Sequence, residues 1–175
     1  MLKILLVISG GIAAYKSLEL IRLFRKNGNE VKCVATESAL TFITSASVEY
    51  LSGSPLRTRL EDREQEMGMG HIELARWPDK VLVAPATANI ISSVANGLAS
   101  DLAQTILMAT IKPIFFAPSM NVRMWENKLF QKNIEVLKSS DIKFLGPDKG
   151  EMACGEFGMG RMMEPQQIFQ SLLKK

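Results

Sequence analysis

Short apolar runs alternate with amphipathic segments along most of the chain. The runs are rich in β-branched residues and apolar without alternation, which is typical of strands buried on both faces. Between the first two runs, Leu18, Ile21 and Phe24 recur at helical spacing opposite a charged face, and Gly28 is placed to end that helix. The pattern predicts strands at residues 3–8, 31–35, 80–84, 113–117 and 142–145.

Such alternation predicts an α/β fold, with a parallel sheet between two layers of helices and a ligand site at the carboxyl ends of the strands. A further short strand at residues 56–58 brings the expected sheet to six strands. Residues 59–66 are highly charged and indicate a solvated helix or loop. Residues 146–163 are rich in Gly and Met without a clear period, which is typical of a functional or a disordered loop, and a last helix is predicted at 165–173. No linker or repeat divides the chain, so residues 1–175 are expected to form one domain.

Composition narrows the class of protein. With 175 residues, 47% of them hydrophobic and 22% charged, the chain has the make-up of a compact domain and not of a disordered one. No apolar run approaches the ~20 residues of a membrane span, and Gly10, Gly11 and Lys16 interrupt what could imitate a secretory signal. The 21 basic and 18 acidic residues are scattered, which is unlike a nucleic-acid surface but compatible with a small anionic ligand.

The scarcity of cysteine and histidine excludes two further classes. Two distant cysteines do not form a disulfide framework and favour a reducing, cytoplasmic compartment. A single histidine leaves a structural zinc site short of ligands, so no metal is expected.

The segment ISGGIAAYKS, residues 8–17, lies where the first strand turns into the first helix. Glycines there allow backbone N–H groups to approach a phosphate, which the helix dipole also favours. The dinucleotide and Walker A fingerprints both fail, because the third glycine of the former and the glycine before the lysine of the latter are missing. A tight turn without a ligand is the alternative.

Polar residues follow two later strands. Thr87 and Asn89 come after the third strand, where they could meet the edge of a flat heteroaromatic ring or could simply cap a helix. Asn121 follows the fourth strand and can anchor a carboxylate or carbonyl group, whereas Met120, Met124 and Trp125 beside it are typical of packing.

His71 and Cys154 are the remaining candidates for chemistry. His71 is the single histidine of the chain and therefore its one ready proton exchanger, although a lone histidine is more often structural. Cys154 lies in a glycine-bounded loop and is the candidate reactive thiol, while Cys33 in KCVA indicates a small core residue. A Cys with a His would also suit a thiol hydrolase, but nothing else in the sequence supports one.

Together these segments resemble the homo-oligomeric flavin-containing cysteine decarboxylases, and among them the branch that acts on 4'-phospho-N-pantothenoylcysteine. The resemblance covers essentially the whole chain and depends on five motifs in matching order and spacing. They are SGGIAAYK near the start, GHIELARW around residue 71, APATAN at 84–89, the PxMNxxMW pattern at 118–125 and ACGEFGMGRM at 153–162. The family implies a three-layer α/β/α Rossmann-like, flavodoxin-like fold.

The resemblance also implies a bound FMN. Its phosphate is expected near Ser9, Gly10, Gly11, Thr36 and Phe42. The edge of its isoalloxazine ring is expected at Ala86, Thr87, Ala88 and Asn89.

The implied reaction converts 4'-phospho-N-pantothenoylcysteine into 4'-phosphopantetheine and carbon dioxide in coenzyme A biosynthesis. Oxidation of the substrate thiol to a thioaldehyde creates the electron sink that decarboxylation needs, and the resulting enethiol is then reduced by the same flavin. By resemblance, His71 is the acid/base, Asn121 anchors the substrate carboxylate and Cys154 donates a proton in the reduction. Met120, Ala153 and Gly155 are expected to contact the substrate beside Asn121.

The family further implies a homo-oligomer, a trimer or a dodecamer built from trimers, with active sites between subunits. Many bacterial relatives continue into a phosphopantothenoylcysteine synthetase domain, which these 175 residues do not include. A separate synthetase protein is expected if the chain is monofunctional, and an excised domain of a longer protein is the alternative. Three other functions stay open: a lantibiotic-type peptidyl-cysteine decarboxylase, a flavin prenyltransferase and a non-catalytic flavin-binding regulatory protein. The presence of Cys154 favours the coenzyme A enzyme over the peptidyl type, which stops at the enethiol.

Overall fold

A parallel sheet forms the centre of the computed structural model, which describes residues 1–60 and 70–174. Its neighbouring strands pair in parallel throughout, in the order β2-β1-β3-β4-β5, so that their carboxyl ends meet at one edge. The α/β class and the mainly parallel sheet are therefore confirmed. The strands are β1 (Lys3–Ile8), β2 (Glu30–Ala35), β3 (Lys80–Ala86), β4 (Ile114–Pro118) and β5 (Lys143–Phe144).

The expected count of six strands is wrong for the described part of the chain, whose sheet has five. The segment predicted as the sixth strand forms only an isolated parallel bridge, between Arg57 and Val34. Two backbone hydrogen bonds hold it, from Ala35 N to Arg57 O at 2.9 Å and from Arg57 N to Cys33 O at 3.2 Å. Pro55 lacks an N–H and limits how far this pairing can extend.

Helices cover both faces of the sheet, and none of the described ones is long and apolar enough to cross a membrane. The predicted first and last helices are confirmed as α1 and α8, and short 3-10 turns at Ile12–Ala14 and Glu37–Thr41 follow β1 and β2. The helices are α1 (Tyr15–Lys26), α2 (Ser45–Ser52), α3 (Gly70–Arg76), α4 (Ala88–Ala95), α5 (Leu102–Ala109), α6 (Val122–Trp125), α7 (Lys128–Ser139) and α8 (Pro165–Lys174).

The sheet separates two apolar cores. Ile4, Leu6 and Ile8 of β1 face α1 and α8, whereas Leu5 and Val7 face the side covered by α3, α4, α5 and α7. Because both faces of the strand are buried, its sequence is apolar at every position and shows no alternation.

Residues 146–163, expected to be a functional loop without regular structure, form an antiparallel hairpin of β6 (Asp148–Glu151) and β7 (Phe157–Arg161). The hairpin is anchored to the end of β4 by a hydrogen bond from Met120 N to Gly160 O at 3.0 Å. Gly158 allows it to approach α6 closely, since a Cβ there would lie 2.6 Å from Val122 Cγ2. The hairpin tip, residues 152–156, is thereby held beside the carboxyl end of the sheet.

Candidate active site

A cavity of about 1180 Å³ lies at the carboxyl ends of four neighbouring strands. In a parallel sheet these ends meet at one edge, so loops that are distant in sequence converge there. The hairpin and the start of α1 form further parts of its wall. The strand-end segments are residues 9–11 after β1, 36–38 after β2, 87–90 after β3 and 119–121 after β4.

Ser9 joins the ends of β1 and β3. Its side chain is buried, and its Oγ donates a hydrogen bond to Pro85 O at 2.6 Å. The same Oγ accepts one from Thr87 N at 3.1 Å and lies 3.2 Å from Thr87 Oγ1. This network fixes the relative position of the two loops, which form one wall of the cavity.

Gly10 allows the loops after β1 and β2 to touch. A Cβ on Gly10 would lie 2.4 Å from Ser38 Oγ and 2.7 Å from the Ser38 carbonyl carbon, so only glycine fits without movement. The Ser38 hydroxyl also lies 3.0 Å from that of Thr36. Within the described ranges, the N–H groups of Gly10 and Gly11 make no backbone hydrogen bond, and they precede the helical turns that lead into α1. Free N–H groups and hydroxyls at a helix start suit an anion such as phosphate.

Thr87 and Asn89 lie at the start of α4 and line the cavity. Thr87 precedes the first helical residue, yet its side chain makes no capping hydrogen bond and contacts Ser9 instead. Helix capping by these side chains, the alternative open from the sequence, is therefore wrong. With Ile90 and Leu102 nearby in the wall, the region offers polar edges beside apolar surface, which suits a planar heteroaromatic ring.

Asn121 has a fixed orientation because it caps α6. Its Oδ1 accepts a hydrogen bond from Arg123 N at 2.7 Å, which directs Nδ2 toward the hairpin tip. There Nδ2 donates to Glu156 Oε2 and lies 3.4 Å from Cys154 Sγ. The thiol in turn lies 3.8 Å from Glu156 Oε2. An amide, a thiol and a carboxylate thus form one cluster at the edge of the cavity.

The two cysteines lie in different environments. Cys33 is buried in the core, as expected, and this burial raises the pKa of its thiol to about 12, against the opposing effect of a hydrogen bond with Ser52. Cys154 is free and exposed on the hairpin tip, where it lines the cavity. Cys154 is therefore the thiol that can react with a ligand.

Ion pairs in the cavity wall were not foreseen from the sequence. Lys16 is 9% exposed, and its Nζ lies 2.9 Å from Glu164 Oε1, which is also 3.5 Å from Arg161. On the β2 side, Arg59 Nε lies 2.9 Å from Glu37 Oε1. Lys16 had stood out only as an interruption of the N-terminal apolar run. Glu37 and Arg59 come from segments 22 positions apart, which no local pattern connects, whereas Arg161 and Glu164 are only three positions apart in the sequence.

The cavity brings together eleven of the fifteen residues expected at the site. His71 lies half-buried in the first turn of α3, Phe42 is 46% exposed beyond the turn after β2, and Ala86 is buried in β3. Gly155 forms the hairpin tip with a φ of +80°, a conformation that favours glycine. These four do not line the cavity of the single chain. The residues that do line it are Ser9, Gly10, Gly11, Thr36, Thr87, Ala88, Asn89, Met120, Asn121, Ala153 and Cys154.

Glu156 is the contact residue that sequence reasoning missed. It lies within the ACGEFGMGRM motif, but its partner Asn121 is 35 positions away. The sequence feature that could have indicated Glu156 is its position two residues after the candidate reactive thiol. Across the described ranges, no group of three or more His, Cys, Asp or Glu is placed to hold a metal ion.

Comparison with curated proteins identifies close relatives of the chain. It is 48% identical over 166 residues to the coenzyme A biosynthesis bifunctional protein CoaBC of Escherichia coli strain K12, covering 95% of this chain and 41% of that protein. It is 46% identical over 165 residues to the protein of the same name from Haemophilus influenzae, covering 94% and 41% respectively. The chain thus spans about two fifths of the length of these relatives.

Solved structures match nearly the whole chain. A cysteine-to-serine mutant of PPC decarboxylase complexed with pantothenoylaminoethenethiol superposes with a TM-score of 0.86 at 32% identity, covering 98% of this chain and 96% of that one. The FMN binding protein AtHal3 gives a TM-score of 0.82 at 32% identity, covering 99% and 95%. The three-layer, flavodoxin-like fold is that of these structures. The family model described as Flavoprotein matches residues 1–175, and the chain belongs to that family.

Proposed function

We propose that the chain catalyses the FMN-dependent decarboxylation of 4'-phospho-N-pantothenoylcysteine to 4'-phosphopantetheine in coenzyme A biosynthesis. The observation that carries the proposal is the meeting of Asn121 Nδ2 and Cys154 Sγ, 3.4 Å apart at the edge of the cavity. One group can bind a carboxylate and the other can donate a proton. The names of the relatives, coenzyme A biosynthesis bifunctional protein and PPC decarboxylase, support the same substrate.

The cavity fits FMN. The N–H groups of Gly10 and Gly11, which make no backbone hydrogen bond among the described residues, suit its phosphate together with the Thr36 and Ser38 hydroxyls. The wall at residues 87–90 suits the edge of its ring. The volume of about 1180 Å³ leaves space for a substrate beside a mononucleotide. When bound, FMN supplies two-electron oxidation of the substrate thiol and returns the electrons after carbon dioxide has left.

Asn121 and Cys154 act on the substrate at different stages. Asn121 holds the carboxylate through Nδ2, whose direction is fixed by the cap to Arg123 N. Cys154 donates the proton from Sγ when the enethiol is reduced. The thiolate is then reprotonated from solvent, because Cys154 is exposed. Met120 and Ala153 border the position of the substrate between these two groups.

A homo-oligomer completes the proposed site. His71 and Phe42 do not line the cavity of their own chain, although the family resemblance implies a role for both at the active site. A second copy can bring them to the cavity mouth, where Ile12 and Tyr15 expose apolar surface. We place His71 as the acid/base and Phe42 beside the flavin in such an assembly, a trimer or a dodecamer built from trimers.

The proposed setting is the coenzyme A pathway in the cytoplasm. Both cysteines are free, which suits a reducing compartment. The substrate itself requires a synthetase that joins cysteine to a phosphorylated acid, and we propose such a synthetase as the partner activity.

The proposal is tested with FMN-loaded protein and 4'-phospho-N-pantothenoylcysteine. Mass spectrometry should detect carbon dioxide and 4'-phosphopantetheine in equal amounts. Cys154→Ser should still release carbon dioxide but accumulate the enethiol, because the proton donor of the second half-reaction is missing. Cys33→Ala is the matched control, since Cys33 lies in the core, and this variant should retain the wild-type product ratio.

Other outcomes point to other functions. Carbon dioxide with enethiol from the wild-type protein would favour a peptidyl-cysteine type of reaction. A normal yield of phosphopantetheine from Cys154→Ser would remove Cys154 from the mechanism. No turnover at all would leave a flavin-binding regulatory protein or a prenyltransferase.

A further inference from the structure

The Asn121 amide already holds a carboxylate that belongs to the protein. Glu156 Oε2 accepts a hydrogen bond from Asn121 Nδ2, and Glu156 Oε1 lies 3.7 Å from Arg123 Nε. The side chain of Glu156 is 40% exposed, so it can leave this position without breaking a core contact. The contact joins the hairpin tip to the end of β4 across the edge of the cavity.

The substrate needs the same donor. Oδ1 of Asn121 is occupied by the cap to Arg123 N, so Nδ2 is the part of the amide left for a ligand. A substrate carboxylate therefore cannot reach Asn121 in the observed arrangement unless Glu156 leaves, because two carboxylates cannot share this position without repulsion.

We propose that Glu156 is a specificity-determining residue that stands in for the substrate carboxylate at Asn121 and is displaced when substrate binds. The inference rests on the proposed function. Glu156 therefore lowers the affinity of the site for ligands that carry a carboxylate and leaves the affinity for ligands without one unchanged.

The displacement of Glu156 also sets the order in which Asn121 and Cys154 act. Cys154 lies two residues before Glu156 on the same tip, with Sγ 3.4 Å from Nδ2. Displacement of Glu156 by the substrate moves this tip, and loss of the carboxylate as carbon dioxide empties Nδ2 again. Glu156 then returns, and Cys154 returns with it to the place where a proton is needed. The product lacks the group that displaced Glu156, which favours product release.

The test measures the affinity of two inert ligands for FMN-loaded protein by calorimetry. One is 4'-phospho-N-pantothenoylserine, which carries the carboxylate but has no thiol to oxidise. The other is its decarboxylated counterpart, 4'-phosphopantothenoyl ethanolamine. In Glu156→Gln, the serine ligand should bind roughly three- to tenfold tighter, as expected from removing one competing charge-assisted hydrogen bond. The ethanolamine ligand should keep its wild-type affinity.

Glu126→Gln is the matched control. Glu126 ends the same short helix that Asn121 begins and is exposed, but among the described residues its carboxylate makes no hydrogen bond to Asn121, so neither affinity should change. An unchanged or weaker affinity of Glu156→Gln for the serine ligand would overturn the inference, as would an equal gain for both ligands. If the wild-type protein bound neither ligand, the proposed substrate itself would be rejected.

Discussion

The two thiols show how a single residue type takes on different chemistry in one chain. Cys33 belongs to β2 and lies within the core beside α2, whereas Cys154 belongs to a turn that closes the hairpin. Only the thiolate reacts readily, and burial disfavours that charged form at Cys33. The difference therefore follows from which element each cysteine occupies.

Alkylation distinguishes the two thiols directly. At about pH 8, iodoacetamide should modify the native protein at Cys154 alone, because the pKa of Cys33 is raised to about 12 and its sulfur is inaccessible. Intact-mass measurement should show one adduct on the native chain and two after unfolding in urea. Cys154→Ser should take up no reagent until it is unfolded. Rapid native modification of Cys33 would contradict this assignment.

Among single residues, the sequence predicts Asn121 as a carboxylate anchor but does not predict its contact with Glu156. Asn121 follows a recognisable strand, and the chemistry of an amide at a strand end is local information. Glu156 acquires its role only through a fold that brings positions 35 apart into contact. The same limit applies to Lys16 and Glu164, whose ion pair joins α1 to the start of α8.

Elements were predictable where their patterns are strong. The strands of the central sheet are mostly apolar and rich in β-branched residues, and the predicted bounds of all five agree with the observed ones within two residues. The hairpin was missed because DKGE and FGMGR contain glycine and charge, which have low β propensity. Its strands are held by contacts to α6 and β4, which a local pattern does not show.

The contact between the loops after β1 and β2 yields a prediction for the glycine pair. Gly10→Ala should lower the free energy of unfolding by about 1–3 kcal/mol, because the new Cβ would overlap Ser38 and force the two loops apart. Gly11→Ala is the matched neighbour, since its Cβ would meet only Thr87 Cγ2 at 3.6 Å, an ordinary contact. It should change the free energy by no more than about 0.5 kcal/mol. Urea denaturation followed by circular dichroism measures both, and equal losses would contradict the steric explanation.

For the whole molecule, the proposed sharing of each active site between two copies predicts complementation between inactive chains. If His71 serves the cavity of a second copy, His71→Asn and Cys154→Ser should each fail to form phosphopantetheine but should recover activity when co-expressed. Random mixing would give about a quarter of the wild-type rate, since that fraction of sites combines both unaltered residues. Product formation and light scattering of the mixed assembly provide the measurement. If each site is built within one chain, no activity would be recovered. Because chains that do not assemble together would also show no recovery, co-purification through two different tags is the control.

The direction of α8 bears on how the protein can be attached to a surface. The helix starts beside Glu164 in the cavity wall and ends where Leu172 O accepts a hydrogen bond from Lys80 Nζ at 2.6 Å, at the first residue of β3. Its ten residues span about 15 Å and lead away from the cavity. The first strand also begins at this remote edge, where Lys3 N bonds to Asp79 at 2.8 Å. A bead or electrode coupled beyond either α8 or β1 would therefore hold each copy with its cavity turned toward the solution.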